Sequence, residues 1–171
     1  SFFISLHQLA FAVDMGFDAF AAATVLGVGS LLTIGGILTF GMLSDHLGRE
    51  LSGILAYVIS ILGGACALFI TGPSHFWLFW LHACLFGVTW GTRGPLITAK
   101  SAELFRGRNL GRIFGVISIG TGIGSAVGTW TSGWIFDVYG SYRLAFILSI
   151  VSYLAGCALF WLLRRPAVEE E

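Results

Sequence analysis

Two long segments without a formal charge restrict what this chain can fold into. Residues 19–44 form a run of 26 residues without Lys, Arg, Asp or Glu, and residues 51–92 form a second run of 42. A bilayer core about 30 Å thick is crossed by roughly 20 apolar residues in a helix. The first run therefore predicts one membrane span. The second would be about 63 Å long as a single helix, so it predicts two spans that turn back at residues 72–74, Gly-Pro-Ser.

The composition excludes several classes of protein. Of the residues, 56% are hydrophobic and 11% are charged, whereas a soluble domain has about 25% charged residues. Nine basic and nine acidic residues cancel, so no nucleic-acid partner is indicated. Cys66, Cys84 and Cys157 lie in separate predicted spans without ligand spacing, so we expect buried thiols and neither a metal site nor a cofactor. No nucleophile and base pair or phosphate loop is visible, and we do not expect an enzyme.

The expected fold is an all-α membrane protein with one six-helix bundle, residues 1–165, and an acidic tail, residues 166–171. The spans are expected at about residues 1–13, 20–43, 51–71, 76–99, 111–135 and 142–163. The first is too short to cross alone, at about 20 Å of helix. We therefore expect it to be the back half of a span that begins outside this sequence, which would make the chain a fragment.

The basic residues predict the orientation, because Lys and Arg accumulate in short cytoplasmic loops. Seven of the nine fall on one side: Arg49, Lys100, Arg106, Arg108, Arg112, Arg164 and Arg165. The opposite side has Arg143 alone, and Arg93 lies within a span. The C-terminus is therefore predicted to be cytoplasmic, in a plasma membrane or a bacterial inner membrane.

A short internal repeat relates the two halves of the chain. The pattern Gly-x-x-x-Asp-x-x-Gly closes the second span at residues 41–48 and the fifth span at residues 133–140, with an offset of 92 residues. Because these two spans run in opposite directions, the repeat predicts two three-helix units of inverted topology. Chance similarity between two glycine-rich helix ends is the alternative.

Glycines on the predicted fifth span form a face of bare backbone. Gly120, Gly124 and Gly128 recur at four-residue spacing. In lipid, helices associate through close packing of small residues, so this face predicts a tight helix contact. Sliding or rocking of the helix during transport is the functional alternative.

The polar residues of the predicted fourth span share one face, since at the helical period they fall within about 40° of one another. They are His75, His82, Thr89, Arg93 and Lys100. His82 and Thr89 lie deep enough to be candidate solute contacts. Lys100, near one interface, is expected to face water or to snorkel.

Arg93 is the principal candidate for solute binding. It lies roughly 10 Å from Lys100 along the helix, and a charge at such depth normally faces a cavity, a partner or a substrate. We therefore expect its planar guanidinium to bind an anionic substrate. The alternatives are snorkelling and a structural ion pair with Asp45, Glu103 or a part of the protein outside this sequence.

His7 and Gln8, in the first span, are further candidate solute contacts about 10 Å below the outer surface. A buried imidazole can hydrogen-bond a solute or carry a proton near neutral pH. For His7 and His82 the alternative is a ring that only satisfies a neighbouring carbonyl.

A gate is expected at the cytoplasmic ends of the spans, formed by Gly41, Asp45, Gly48, Arg49, Glu103 and Arg106. Glu103 can pair with Arg49 or Arg106 when this end is closed and separate from them when it opens. Exposed pairs contribute only about 0–1 kcal/mol, so these would tune a gate rather than lock it. Ordinary solvation of the charges is the alternative.

The loop at residues 41–50 resembles the hallmark loop of the major facilitator superfamily. The matching residues are Gly41, Asp45, Gly48 and Arg49. His46 and Glu50 stand where the family pattern has basic residues. Within the superfamily, residues 7–17 and 93–105 resemble the monocarboxylate or organic-anion porter branch.

The resemblance implies that the chain is the C-terminal half of a twelve-helix transporter, in which its first and fourth spans line the central cavity. Asp45 would meet a helix of the missing N-terminal six-helix half when the cytoplasmic side closes. The implied function is secondary active transport of a small organic solute, with a monocarboxylate or other organic anion as the candidate, by alternating access. A transporter-like sensor or membrane assembly subunit that does not translocate is the alternative. The expected partners are the solute, the missing half and the lipid bilayer.

Overall fold

The computed structural model describes residues 2–105 and 109–163, and in these ranges the chain is helical without a strand. The α-helices are α1 Phe2–Ser5, α2 Gln8–Asp14, α3 Ala19–Leu47, α4 Arg49–Leu68, α5 Phe76–Trp90, α6 Arg93–Leu104, α7 Leu110–Tyr139 and α8 Arg143–Leu162. A 3₁₀ turn, Pro73–His75, precedes α5. The expected all-α fold is confirmed.

Four of these helices, α3, α4, α7 and α8, are long and apolar enough to cross a membrane. The predicted first and fourth spans are each divided in two. The fourth is interrupted at residues 91–92, between α5 and α6. Pro95 lacks a backbone N–H and its ring disturbs the preceding turn, which accounts for this break. The first is interrupted at residues 6–7, where the N–H of His7 bonds to the carbonyl of Ile4 at 2.9 Å in a tighter turn.

The helix α4 lies at the centre of the packing, against α5 on one side and α8 on the other, and α3 packs against α5. One apolar cluster joins α2 and α3 to α5 and α8 through Phe11, Val25, Phe79 and Phe146. A smaller cluster lies around Phe40 at the other end of α3. Buried aromatic and aliphatic side chains thus fix the two ends of α3 against its neighbours.

Close backbone approach occurs between α3 and α5, where glycine is required. A Cβ added at Gly36 would collide with the backbone carbonyl of Val88, and one added at Gly87 would collide with the carbonyl of Gly29. The two helices can therefore pack at this distance only because these positions have no side chain, as is common for helices associated in lipid.

The glycine face predicted on α7 is only partly used for packing. Around Gly120 and Gly124, an added Cβ would meet no atom of the described residues within 4 Å, so the tight contact expected there is not formed in this part of the chain. Gly128 is buried. The reason is that α7 contacts α1 more than it contacts α6 or α8, which leaves the first half of its glycine face uncovered.

The two ends of the internal repeat each have a glycine with positive φ, although their ψ values differ, at 157° for Gly48 and 22° for Gly140. Gly48 ends α3 with φ +89° and Gly140 ends α7 with φ +62°. Both values lie in the left-handed region that glycine adopts without steric cost. Each glycine thus permits the sharp turn into the next helix, which explains why the pattern recurs at both helix ends.

We predict that Gly36→Ala destabilises the protein by about 1–3 kcal/mol, because the new methyl group must push α3 away from α5. The matched control is Gly35→Ala, since a Cβ at Gly35 meets nothing within 4 Å and alanine is the better helix former. Thermal denaturation of the full-length protein in detergent measures both variants. Equal melting temperatures for the two would contradict the close approach of α3 and α5.

Candidate functional site

Arg93 is the first residue of α6 and lies directly after the break in the fourth helical segment. It is only 8% exposed. Together with residues of α4, α7 and α8 it lines a cavity of about 660 Å³, which we call the Arg93 cavity. Its wall includes Tyr57, Trp90, Arg93, Gly124, Gly128 and Tyr153. Two of the three glycines singled out on α7 thus border an open space beside a buried cation.

Four aromatic rings surround the guanidinium of Arg93. Its Cζ lies 4.9 Å from the ring centre of Tyr153 and 5.6 Å from that of Trp90. The rings of Tyr57 and Phe86 are each centred 5.9 Å from it. Cation–π contacts of this kind contribute roughly 0.5–2 kcal/mol, so the rings hold the cation in place without neutralising it.

The guanidinium has no acidic partner within the parts of the chain that the structure describes. Both terminal nitrogens of Arg93 are buried there without a hydrogen-bond partner. Asp45 and Glu103, the acidic candidates from the sequence, both pair with Arg49 instead. Because buried polar groups are almost always satisfied, this arginine has donors available for an anionic group that enters the cavity.

A second cavity of about 230 Å³ is lined by residues of α1, α2, α3 and α5. We call it the Gln8 cavity. Its polar wall residues are Ser5, Gln8, Ser30 and Thr33. Trp90 lines both this cavity and the Arg93 cavity. The two spaces are therefore neighbours that share one aromatic wall.

His82 and Thr89 are fully buried between α5 and α4 and do not line either cavity. The Nδ1 atom of His82 lies 2.7 Å from the carbonyl oxygen of Gly63, and its Nε2 atom lies 3.1 Å from the amide nitrogen of Gln8. The hydroxyl of Thr89 lies 2.7 Å from that of Ser60. Their role as solute contacts stays a prediction, and the geometry provides each with partners inside the protein.

His7 lies at the break between α1 and α2, away from the walls of the two cavities. Its ring faces Tyr142 with a centroid distance of 5.5 Å, and its Nδ1 atom is 3.4 Å from the Tyr142 hydroxyl. A solute contact at His7 therefore stays a prediction, whereas Gln8 lines a cavity.

A cluster of charged residues joins the loop between α3 and α4 to the end of α6. The Nη1 atom of Arg49 lies 2.9 Å from Asp45 Oδ1, and its Nε atom lies 3.0 Å from Glu103 Oε1. The structure thus brings together three of the predicted gate residues. Gly48 forms the turn beside them, Gly41 is exposed on α3, and Arg106 lies outside the described residues.

Lys100 differs from its expected position at the membrane surface. It is only 6% exposed and its Nζ atom contacts Oε1 of Glu50. It also lies 3.8 Å from Glu103 Oε2. The snorkelling expected from the sequence is therefore wrong, because an acidic partner on α4 lies within reach and holds the ammonium inside. Glu50, at a position where the hallmark pattern has a base, was the signal for this pair.

Comparison with known proteins finds one matching family model and several relatives of low sequence identity. The family model described as Major Facilitator Superfamily matches residues 1–171. Monocarboxylate transporter 13 of Rattus norvegicus is 28% identical over 154 residues, which cover 88% of this chain and 35% of that protein. Monocarboxylate transporter 12 of the same organism is 27% identical over 144 residues, covering 84% of this chain and 30% of the relative. A gallate transporter of Pseudomonas putida is 28% identical over 155 residues, covering 90% and 34%. The chain thus spans about a third of the length of the curated relatives it matches.

Proposed function

This chain belongs to the major facilitator superfamily, and on that premise we propose that it is the C-terminal six-helix half of a secondary transporter for a small organic anion. Two similar proteins are named as monocarboxylate transporters and a third as a gallate transporter. A monocarboxylate is therefore the solute class that we propose first. The remaining six helices would form the other wall of the transport pathway.

The observation that carries the proposal is the buried guanidinium of Arg93 beside a cavity. Its terminal nitrogens have no partner among the described residues, and a planar guanidinium matches the two oxygens of a carboxylate. Burial strengthens such a pairing, because the low dielectric that makes an unpaired charge costly also strengthens its attraction to a counter-ion. A carboxylate that enters the Arg93 cavity would supply the missing negative charge.

The charged cluster around Arg49 supports a gate at one end of this pathway. We place it at the cytoplasmic side, because seven of the nine basic residues fall in the loops and the tail that the sequence predicts for this side. The pairs of Arg49 connect the start of α4 with the end of α3 through Asp45 and with the end of α6 through Glu103. In alternating access these contacts would separate when the cytoplasmic end opens, and their exposure keeps the cost of separation low, at about 0–1 kcal/mol per pair.

The test is uptake of radiolabelled monocarboxylates into proteoliposomes that contain the full-length protein. We expect saturable uptake that other monocarboxylates inhibit. The neutral amides of these acids should not inhibit, because an amide has no negative charge to pair with the guanidinium. Liposomes without protein are the control. Binding without accumulation would instead indicate the non-translocating sensor or assembly subunit, and equal inhibition by acids and amides would contradict the anion site.

A further inference from the structure

We propose that the Gln8 cavity is a second subsite, which binds a hydroxyl group of the solute, and that His82 is a positioning residue that orients the Gln8 amide for this purpose. The inference rests on the proposed function, since it adds a second point of recognition to a carboxylate held at Arg93. It assigns His82 an indirect role in place of the direct solute contact expected from the sequence.

The hydrogen bond from His82 to Gly63 determines which ring nitrogen carries the proton. A carbonyl oxygen only accepts hydrogen bonds, so the Nδ1 atom at 2.7 Å from it must carry the hydrogen and donate. An unpaired charge on a fully buried ring is costly, so the ring is neutral and has a single proton. The Nε2 atom of His82 therefore has only a lone pair and acts as an acceptor.

The tautomer of His82 in turn determines the orientation of the Gln8 amide. An acceptor at Nε2 requires a donor opposite it, so the Gln8 group that lies 3.1 Å away is the NH₂ and not the oxygen. The Oε1 atom of Gln8 and the second hydrogen of its NH₂ group are then left for a ligand in the cavity that this side chain lines. A free glutamine could use its oxygen to bind the neighbouring ring, whereas this orientation keeps the oxygen available to accept from a ligand.

The hydroxyls of Ser30 and Thr33 add to the acceptor character of the same wall. Ser30 donates its hydrogen to the carbonyl of Leu26 at 2.9 Å, and Thr33 donates to the carbonyl of Gly87 at 2.8 Å. Each hydroxyl has only one hydrogen, so its oxygen lone pairs are what remains for a ligand. Three polar groups on this wall can thus accept a hydrogen bond, and the Ser5 hydroxyl, which has no partner among the described residues, can donate one.

An uncharged wall with acceptors and a hydroxyl donor fits a neutral group that both donates and accepts a hydrogen bond. A carboxylate has no hydrogen to donate at neutral pH, and an ammonium group would need an acidic side chain, which is absent from the described lining of the Gln8 cavity. A hydroxyl group fits both conditions. Because Trp90 borders both cavities, a solute with its carboxylate at Arg93 can extend past this ring and place a hydroxyl at Gln8.

The test is equilibrium binding of straight-chain monocarboxylates of increasing length to the full-length protein in nanodiscs, each compared with its terminal-hydroxyl derivative. At the length that spans the two cavities, we expect the hydroxyl to lower Kd by roughly 3- to 10-fold, as one additional hydrogen bond does. Binding of no carboxylate at all would overturn the proposed function and this inference with it. Binding of carboxylates without a gain from the hydroxyl at any length would overturn this inference alone.

Two variants separate the positioning role of His82 from a role in packing. His82→Asn keeps a side-chain amide that can donate to Gly63 but is too short to accept from Gln8, and Gln8→Leu removes the acceptor itself. In both, we expect the ratio of the two Kd values to fall to about one, because the hydroxyl derivative loses a hydrogen bond that the unsubstituted carboxylate does not make. A ratio that persists in both variants, or an equal loss of affinity for both ligands, would overturn the proposal. If His82→Asn reduces the folded yield, Gln8→Leu, at a half-buried position, still tests whether Gln8 binds the hydroxyl group.

Discussion

Arg93→Ala is expected to reduce the initial uptake of a monocarboxylate, measured below saturation in proteoliposomes, by roughly 10- to 100-fold. The estimate follows from about 1.5–3 kcal/mol for hydrogen bonds between charged groups. Arg93→Lys should lose most of the same activity, because an ammonium keeps the charge but not the planar pair of donors that fits a carboxylate. The reduction should be in the apparent affinity for the anion.

The same variants should have almost unchanged stability, which distinguishes a binding arginine from a structural one. Breaking a buried ion pair by removing one partner costs about 3–5 kcal/mol, but Arg93 has no acidic partner among the described residues. Its loss removes only the contacts with the surrounding rings, of which that with Tyr153 is the shortest at 4.9 Å. Since removing a buried cation also relieves its desolvation, we expect a net change within about 1 kcal/mol.

The matched control is Arg143→Ala, which removes an exposed arginine at the start of α8 and should leave both uptake and stability unchanged. Expression and melting temperature of every variant must be measured beside uptake. Normal transport by both Arg93 variants would make this arginine a structural residue and would remove the main support for an anionic solute.

The position of Arg93 could be predicted from the sequence, but its surroundings could not. A charge within a long apolar segment, followed by Gly94 and Pro95, indicates a buried functional residue on a weakened helix, and α6 does begin at Arg93. The four rings around it come from α4, α5 and α8. In a chain with 15% aromatic residues, no local pattern marks which of them will meet the guanidinium.

The shared face predicted for the fourth span applies within α5, where His82 and Thr89 lie on one side, but the break at residues 91–92 places Arg93 and Lys100 on a separate helix. Periodicity places His82 and Thr89 on one side of the helix, but it does not say which neighbour that side will face. In the structure the neighbour is α4, which provides Gly63 and Ser60 as hydrogen-bond partners. The partner of each residue depends on tertiary packing between segments more than fifteen residues apart in sequence.

The glycine pattern on α7 likewise does not predict which helix packs against it. Gly120 and Gly124 have the spacing of a packing face but are uncovered in the described chain, whereas Gly36 and Gly87 lie where α3 and α5 approach closely. Spacing predicts which helices could approach a neighbour. Which of them does so depends on the complete assembly, and the exposed face of α7 is available to the missing half that we propose.

The second large effect is expected at Lys100 and Glu50, whose side chains are only 8% and 17% exposed. Lys100→Met should lower the free energy of unfolding by about 3 kcal/mol, because it leaves a largely buried carboxylate without its lysine, near a second carboxylate at Glu103. The double variant Glu50→Gln/Lys100→Met removes both charges and should be more stable than Lys100→Met alone, with a net cost of about 1 kcal/mol. Chemical denaturation of the full-length protein in detergent provides these values.

The decisive outcome is whether the double variant is more stable than Lys100→Met. Two independent destabilising changes would instead add their losses. The control Arg112→Met removes an exposed basic residue of α7 and should change stability by less than about 0.5 kcal/mol. Additive losses in the double variant would mean that Lys100 and Glu50 do not interact. A restored stability would establish that Glu50, which departs from the basic residue of the family pattern, forms one buried pair with Lys100 that joins α4 to α6.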